Sequence, residues 1–156
     1  NATFPPGSRH PDRDVITGEA RIGHHRSVTE RRRAASGSPY EPTIGFSRAV
    51  RVGDRILVSG TGPVWPDGSC PDDAGLQARR CFEIITGALD DLDASLADVV
   101  RTRMFITSAA DAEAIGDVHG ELFATVRPAA TMVVVAALLD PRWKVEIEAE
   151  AVVGPE

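Results

Sequence analysis

The chain alternates apolar and polar positions in short blocks, and the period changes from block to block. "FSRAVRVG" places Phe46, Arg48, Val50 and Val52 on one side of a two-residue period, and "RILVSG" (Arg55–Gly60) follows after Gly53–Asp54. Two such runs joined by a Gly-Asp pair predict a β-hairpin. "GTGPVWPDGSCPDD" holds Pro63, Pro66, Gly68 and Pro71, which bar regular structure, and reads as a loop. Beyond Asp72 and Asp73 the period lengthens to that of a helix. Ala78, Cys81, Phe82, Ile85, Ala88, Leu89 and Leu92 form an apolar stripe, with Arg79, Arg80, Glu83, Asp90 and Asp91 mostly opposite, and the helix is expected to reach about Ala94. Its two leading aspartates suit the positive end of the helix dipole. "SLADVVRTRMFIT" starts with a short turn and becomes a strand. "SAADAEAIGDVHGELFA" predicts a second helix, capped by Ser108 and burying Ala112, Ile115, Val118, Leu122 and Phe123. "ATMVVVAAL", a turn at "DPRW" and "KVEIEAEAVV" complete an α+β order: strand, strand, helix, strand, helix, strand, strand.

Two of these strands carry further expectations. Thr131–Leu138 is apolar on both faces, so both faces are expected to be buried. The helices cover one face of the sheet, and a second copy of the chain is expected to cover the other, as in a closed homo-oligomer. In the last strand Val145, Ile147, Ala149 and Ala151 share one face, and Glu146, Glu148 and Glu150 share the other. Those glutamates are either solvated or border a subunit seam.

With 156 residues, 42% of them hydrophobic and 26% charged, the chain suits one domain with its own core. No apolar run approaches the ~20 residues needed to span a bilayer, and the arginine-rich start has no apolar centre of the kind a secretory signal needs. The expected location is the cytoplasm, without a membrane partner. Residues 1–38 read as a polar extension and 39–156 as the domain. Within the extension, Arg31–Arg33 reads as a solvated run, His24–His25 as a pair lacking further metal ligands, and the "NAT" start as a chance acceptor match. Cys70 and Cys81 have no metal spacing, and Cys81 falls on the apolar helix face as a buried thiol.

The net charge of −6 divides into +2 for residues 1–42 and −8 for the rest. An acidic domain repels phosphate backbones, which disfavours a nucleic-acid partner. His119 is the one histidine outside the extension, expected on the helix surface, so no histidine pair is available for RNA cleavage.

"IGFSRAVRVGDRILVSGTGPVWPDG", "RPAATMVVVAAL" and "KVEIEAEAV", in this order and spacing, resemble the RidA (YjgF) family, once labelled L-PSP endoribonucleases. The likeness covers about Tyr40 to Val153. It implies a chorismate-mutase-like α+β fold, a mixed sheet with two helices on one face, assembled as a homotrimer with small-molecule clefts between subunits. Active members hydrolyse enamines and imines derived from amino acids to 2-ketoacids and ammonia. The resemblance implies neither a metal nor an organic cofactor.

Position by position the correspondence is partial. The glutamate that helps position water falls at Glu146, and the glycine closing the "VSG" strand falls at Gly60, beside Thr61. The cleft tyrosine becomes Phe46, and an asparagine frequent in the second helix becomes Gly116. "RPARS" reads "RPAAT", so the arginine that grips the substrate carboxylate becomes Ala130. Arg127 lies three residues earlier, and an odd shift along a strand points to the other face. Losing one partner of a buried guanidinium–carboxylate pair typically costs about 2–5 kcal/mol. The expectation is therefore a hydrolase or deaminase with weak activity on ordinary 2-imino acids and a different small substrate. Its cleft would be lined by Phe46, Arg48, Gly60, Thr61, Trp65, Ala130 and Met132, with Glu146 catalytic. Arg48, Arg103 and Arg142 are the cations available to replace the missing one. A non-catalytic metabolite-binding or interaction module is the alternative, favoured by the basic extension.

Overall fold

The computed structural model describes residues 30–154; the His24–His25 and "NAT" readings lie outside the described residues. Six strands form one sheet in the order β1-β2-β3-β6-β4-β5. They are β1 (Arg31–Ala34), β2 (Ala49–Val52), β3 (Arg55–Thr61), β4 (Val99–Ile106), β5 (Ala129–Val134) and β6 (Val145–Val152), with helices α1 (Ala74–Asp90) and α2 (Ala112–Phe123). β4 and β5 run parallel, joined through α2, and every other pairing is antiparallel.

The hairpin forms as its pattern predicts. Val52 pairs with Arg55 across the Gly53–Asp54 turn, and only Gly53 takes a positive φ (64°), as a type II′ turn requires. Asp73 caps α1 by accepting from Leu76 N at 2.8 Å. The helix ends at Asp90, four residues before the expected Ala94. Asp93 then adopts φ 55°, and Ala94 N closes the turn on Leu89 O at 3.0 Å. Ser108 caps a short 3₁₀ turn ahead of α2 rather than α2 itself.

β6 organises the core because it sits between β3 and β4. Its Val145, Ile147, Ala149 and Ala151 are buried under the helices with Ile56 and Val58 of β3 and Met104 and Ile106 of β4. Cys81, Phe82, Ile85 and Leu89 of α1 pack from above, so Cys81 is the buried free thiol its position predicts. Burial pushes that thiol's pKa far above its ordinary value.

Three expectations need correction. Arg31 and Arg33 are exposed, as a solvated run should be, but Arg31–Arg33 belongs to strand β1 rather than to an irregular extension: Ala34 pairs with Ala49 and is buried, which anchors the strand despite its arginines. The helices, expected to cover one face of β5, leave residues on both of its faces exposed. β5 is the sheet's edge strand, and Val133 and Val134 are 43% and 57% exposed. Arg127 is not on the strand at all. It lies at φ 52°, with its N–H on Phe123 O at the end of α2, so strand parity does not set its direction.

Candidate functional site

One face of the sheet carries the helices. On the open face, pairing brings together alternate residues of every strand: Val50 beside Leu57, Leu57 beside Glu150, Arg103 beside Glu148, and Phe105 beside Glu146. A depression of about 600 Å³ runs across it, lined by Arg33, Phe46, Val50, Leu57, Ser59 and Glu148 among others.

The three glutamates of β6 differ sharply. Arg103 donates to Glu148 and to Glu150, each at 3.0 Å, and Arg55 lies 3.5 Å from Glu150. Glu146 accepts no hydrogen bond and joins no ion pair among the described residues, although it is half-buried. Its carboxylate lies on the bare backbone of Gly60: a Cβ built there would overlap Glu146 Oε1 and come within 3.2 Å of Cδ. Burial and the Glu148 charge push its pKa above the ordinary carboxylate value, and Arg48 pulls it partly back. A half-dry carboxylate without partners can orient a water or take a proton from one.

Gly60 belongs to an irregular end of β3, where the register with β6 shifts between Val58 and Thr61. Arg48 braces this bulge. Its Nη1 donates to Gly60 O at 2.8 Å, Thr61 Oγ1 at 2.7 Å and Ser59 O at 3.4 Å. The guanidinium lies over the Phe46 ring, with Cζ 5.9 Å from its centroid. No carboxylate reaches Arg48 within 4.0 Å among the described residues, and its Nε is buried without a partner. Of the three stand-in cations, Arg103 is engaged by Glu148 and Glu150 and Arg142 by Asp140 at 2.7 Å. Arg48 alone is held in place and free of a counter-charge.

Phe46, Arg48, Gly60 and Glu146 thus come together at one end of the sheet with the buried Thr61, and of these Phe46 alone lines the depression. Three other expected site residues do not. Ala130 pairs with Thr102 and Met132 with Met104, on the helix side of the sheet, so within one chain they lie on the opposite face from Glu146. Within the described residues of one protomer the sheet itself separates Ala130 from Glu146. Trp65 sits in the loop after β3, tied to α1 by Arg80 Nε donating to Val64 O at 2.8 Å, outside the groove.

Three relationships escaped the sequence reading. The Trp143 ring packs on Gly62, where a Cβ would meet Cζ3 at 2.5 Å; the juxtaposition spans two distant segments and leaves no local signal. His119, expected on the surface, is half-buried instead: its Nε2 is 2.9 Å from Thr102 Oγ1, and its ring packs on Phe82 and Phe123. Burial pulls its pKa below the ordinary histidine value. The burial of Thr102 on β4, beneath the turn of α2 that carries His119, was the missing cue. The bracing role of Arg48 is the third.

Among the described residues no helix is long and apolar enough to cross a membrane. The Endoribonuclease L-PSP family model matches residues 37–153. The chain is 38% identical over 124 residues to an uncharacterized protein of Streptomyces coelicolor, covering 79% of this chain and 92% of that one. It is 30% identical over 125 residues to a 2-iminobutanoate/2-iminopropanoate deaminase of Dermatophagoides farinae, covering 72% and 89% respectively. The crystal structure of a YjgF/YER057c/UK114 family member from Mycobacterium tuberculosis matches with a TM-score of 0.74 at 41% identity. That match covers 80% of this chain and all of the other.

Proposed function

The chain belongs to the Endoribonuclease L-PSP family, which includes the YjgF/RidA proteins, and from that premise we propose that it hydrolyses the C=N bond of a small imine or enamine tautomer. Water adds its oxygen to the imine carbon, the C–N bond breaks after proton transfer to nitrogen, and a carbonyl compound and ammonia leave. Glu146 holds the attacking water and takes its proton. The observation that carries this reading is the unpartnered, half-buried Glu146 carboxylate resting on Gly60.

The reaction takes place in clefts between copies of the chain, in a homotrimer. Two features support assembly. Val52, Leu57 and Val152 leave an exposed apolar patch on the open face, and Val133 and Val134 leave an apolar edge on β5. Ala130 and Glu146 also lie on opposite faces, so one copy's Ala130 meets a substrate only at another copy's Glu146. With alanine at 130, that wall offers no fork for a carboxylate, and activity on ordinary 2-imino acids is low. Ribonuclease chemistry has little support: the folded region is acidic, and His119, the one histidine among the described residues, is engaged with Thr102.

The deciding experiment is ammonia release from imines generated in situ, comparing the natural protein with Glu146→Gln. A loss of about 10²- to 10⁴-fold is expected. Equal rates would overturn the assignment. Light scattering should give about three times the 16.6 kDa chain mass.

A further inference from the structure

Arg48 and Glu146 are two charged groups at one end of the sheet that have no oppositely charged partner within 4.0 Å among the described residues, and both rest on Gly60. Arg48 Nη1 is bound to the Gly60 carbonyl, and the Glu146 carboxylate covers the Gly60 Cα. They do not reach each other within 4.0 Å, and their common contact with Gly60 limits Nη1 and Oε1 to about 9 Å apart. A separation within those bounds is one that a small planar group with a hydrogen bond at each end can span. Nη1 is saturated by protein oxygens, whereas Nη2 has no protein partner among the described residues.

The charges decide what that group is. A carboxylate placed on Arg48 would lie beside a second carboxylate that nothing else neutralises, because Arg103 is occupied by Glu148 and Glu150. An uncharged group with an acceptor at one end and an N–H at the other satisfies both walls without adding a charge. We infer that Arg48 and Glu146 form a two-ended slot over Gly60 that selects an uncharged, carbonyl-bearing imine or enamine, with an amide in place of a free acid. The carbonyl oxygen accepts from Arg48 Nη2, and the N–H donates to Glu146. This deepens the hydrolase reading by naming its substrate class, and the slot itself is testable without turnover.

The test is an NMR titration of the full chain with butyramide and, separately, butyrate, followed at the Gly60 and Thr61 amides. The natural protein should bind butyramide about ten- to a hundredfold more tightly than butyrate, one charge-assisted hydrogen bond's worth of discrimination. Arg48→Gln should lose butyramide binding, with a melting curve to verify folding and Arg48→Lys as a second variant that keeps the charge but not the fork. Glu146→Gln should improve butyrate binding by removing the repelling carboxylate. Tighter binding of butyrate by the natural protein, or unchanged butyramide binding in folded Arg48→Gln, overturns the slot. A parallel assay compares ammonia release from 2-iminobutyramide and 2-iminobutyrate. Discriminating binding with no turnover of either imine would retain the slot and defeat the hydrolase reading; turnover with no discrimination would do the reverse.

Discussion

Replacing Gly60 with alanine tests the catalytic geometry with one methyl group. Gly60 does not use a glycine-only backbone conformation, so alanine meets no strain there, and its smaller unfolded-state entropy favours the fold by about 0.4–1 kcal/mol. The methyl would overlap Glu146 Oε1, and the carboxylate must withdraw by roughly 1 Å to restore an ordinary C···O separation of about 3.3 Å. Because the obstructing atom is the far end of a flexible side chain, that withdrawal costs little stability. It costs alignment instead: a misplacement of about 1 Å in a reacting group can lower the rate about 10²-fold. The expected result is an unchanged or slightly raised melting temperature and a fall of about two decades in ammonia release from whichever in-situ imine the natural protein turns over fastest. A Gly60→Ala protein with full activity would refute the role of the Gly60–Glu146 contact. One that lost activity only in proportion to lost folding would do so equally.

Gly62→Ala should behave in the opposite way. Its Cβ would strike the Trp143 ring at 2.5–2.7 Å, so the indole or the backbone must shift, and thermal denaturation should show a loss of about 1–3 kcal/mol. Ala130→Arg places a guanidinium on β5 and should raise kcat/KM for 2-iminobutyrate by roughly 30- to 5,000-fold, the equivalent of about 2–5 kcal/mol; no gain in an intact assembly would show that residue 130 does not face the substrate. The raised pKa of Glu146 predicts that activity fails on the acid side at a midpoint above the ordinary glutamate value, visible in a pH–rate profile. The sign for stability follows from the same shift. The folded chain holds that proton more tightly than the unfolded one, so the contribution is present below the unfolded pKa and is lost as pH rises through the folded pKa. Glu146→Gln should therefore melt no lower than the natural protein at neutral pH, and any advantage should vanish in acid.

The hairpin, both helices and the last strand were legible because each rests on a local period, reinforced by the Gly53 turn in the hairpin and the Asp73 cap on α1. β1 was not legible. "RRRA" carries no alternation, and it becomes a strand because Ala34 finds a buried place beside Ala49. The fate of the three β6 glutamates was equally hidden. Their alternation placed them on one face, but which of them remained unpaired depended on Arg103 of the neighbouring strand. The family resemblance pointed to Glu146 and Gly60, and the structure brings them into contact. It could not show that Ala130 and Glu146 lie on opposite faces, since that follows from the registers in which β5 and β6 pair with β4.

β6 is the last of the described strands in chain order, yet it lies inside the sheet, third from the β5 edge, joining β3 to β4. A nascent chain that has emerged from the ribosome only as far as Arg142 therefore holds two unjoined pieces: an antiparallel trio and a parallel pair. Each presents an unsatisfied backbone edge where the seam should be. Folding must wait for translation of Val145–Val152, and transcripts cut short of that segment should yield chains for the cell's proteases rather than a smaller working protein.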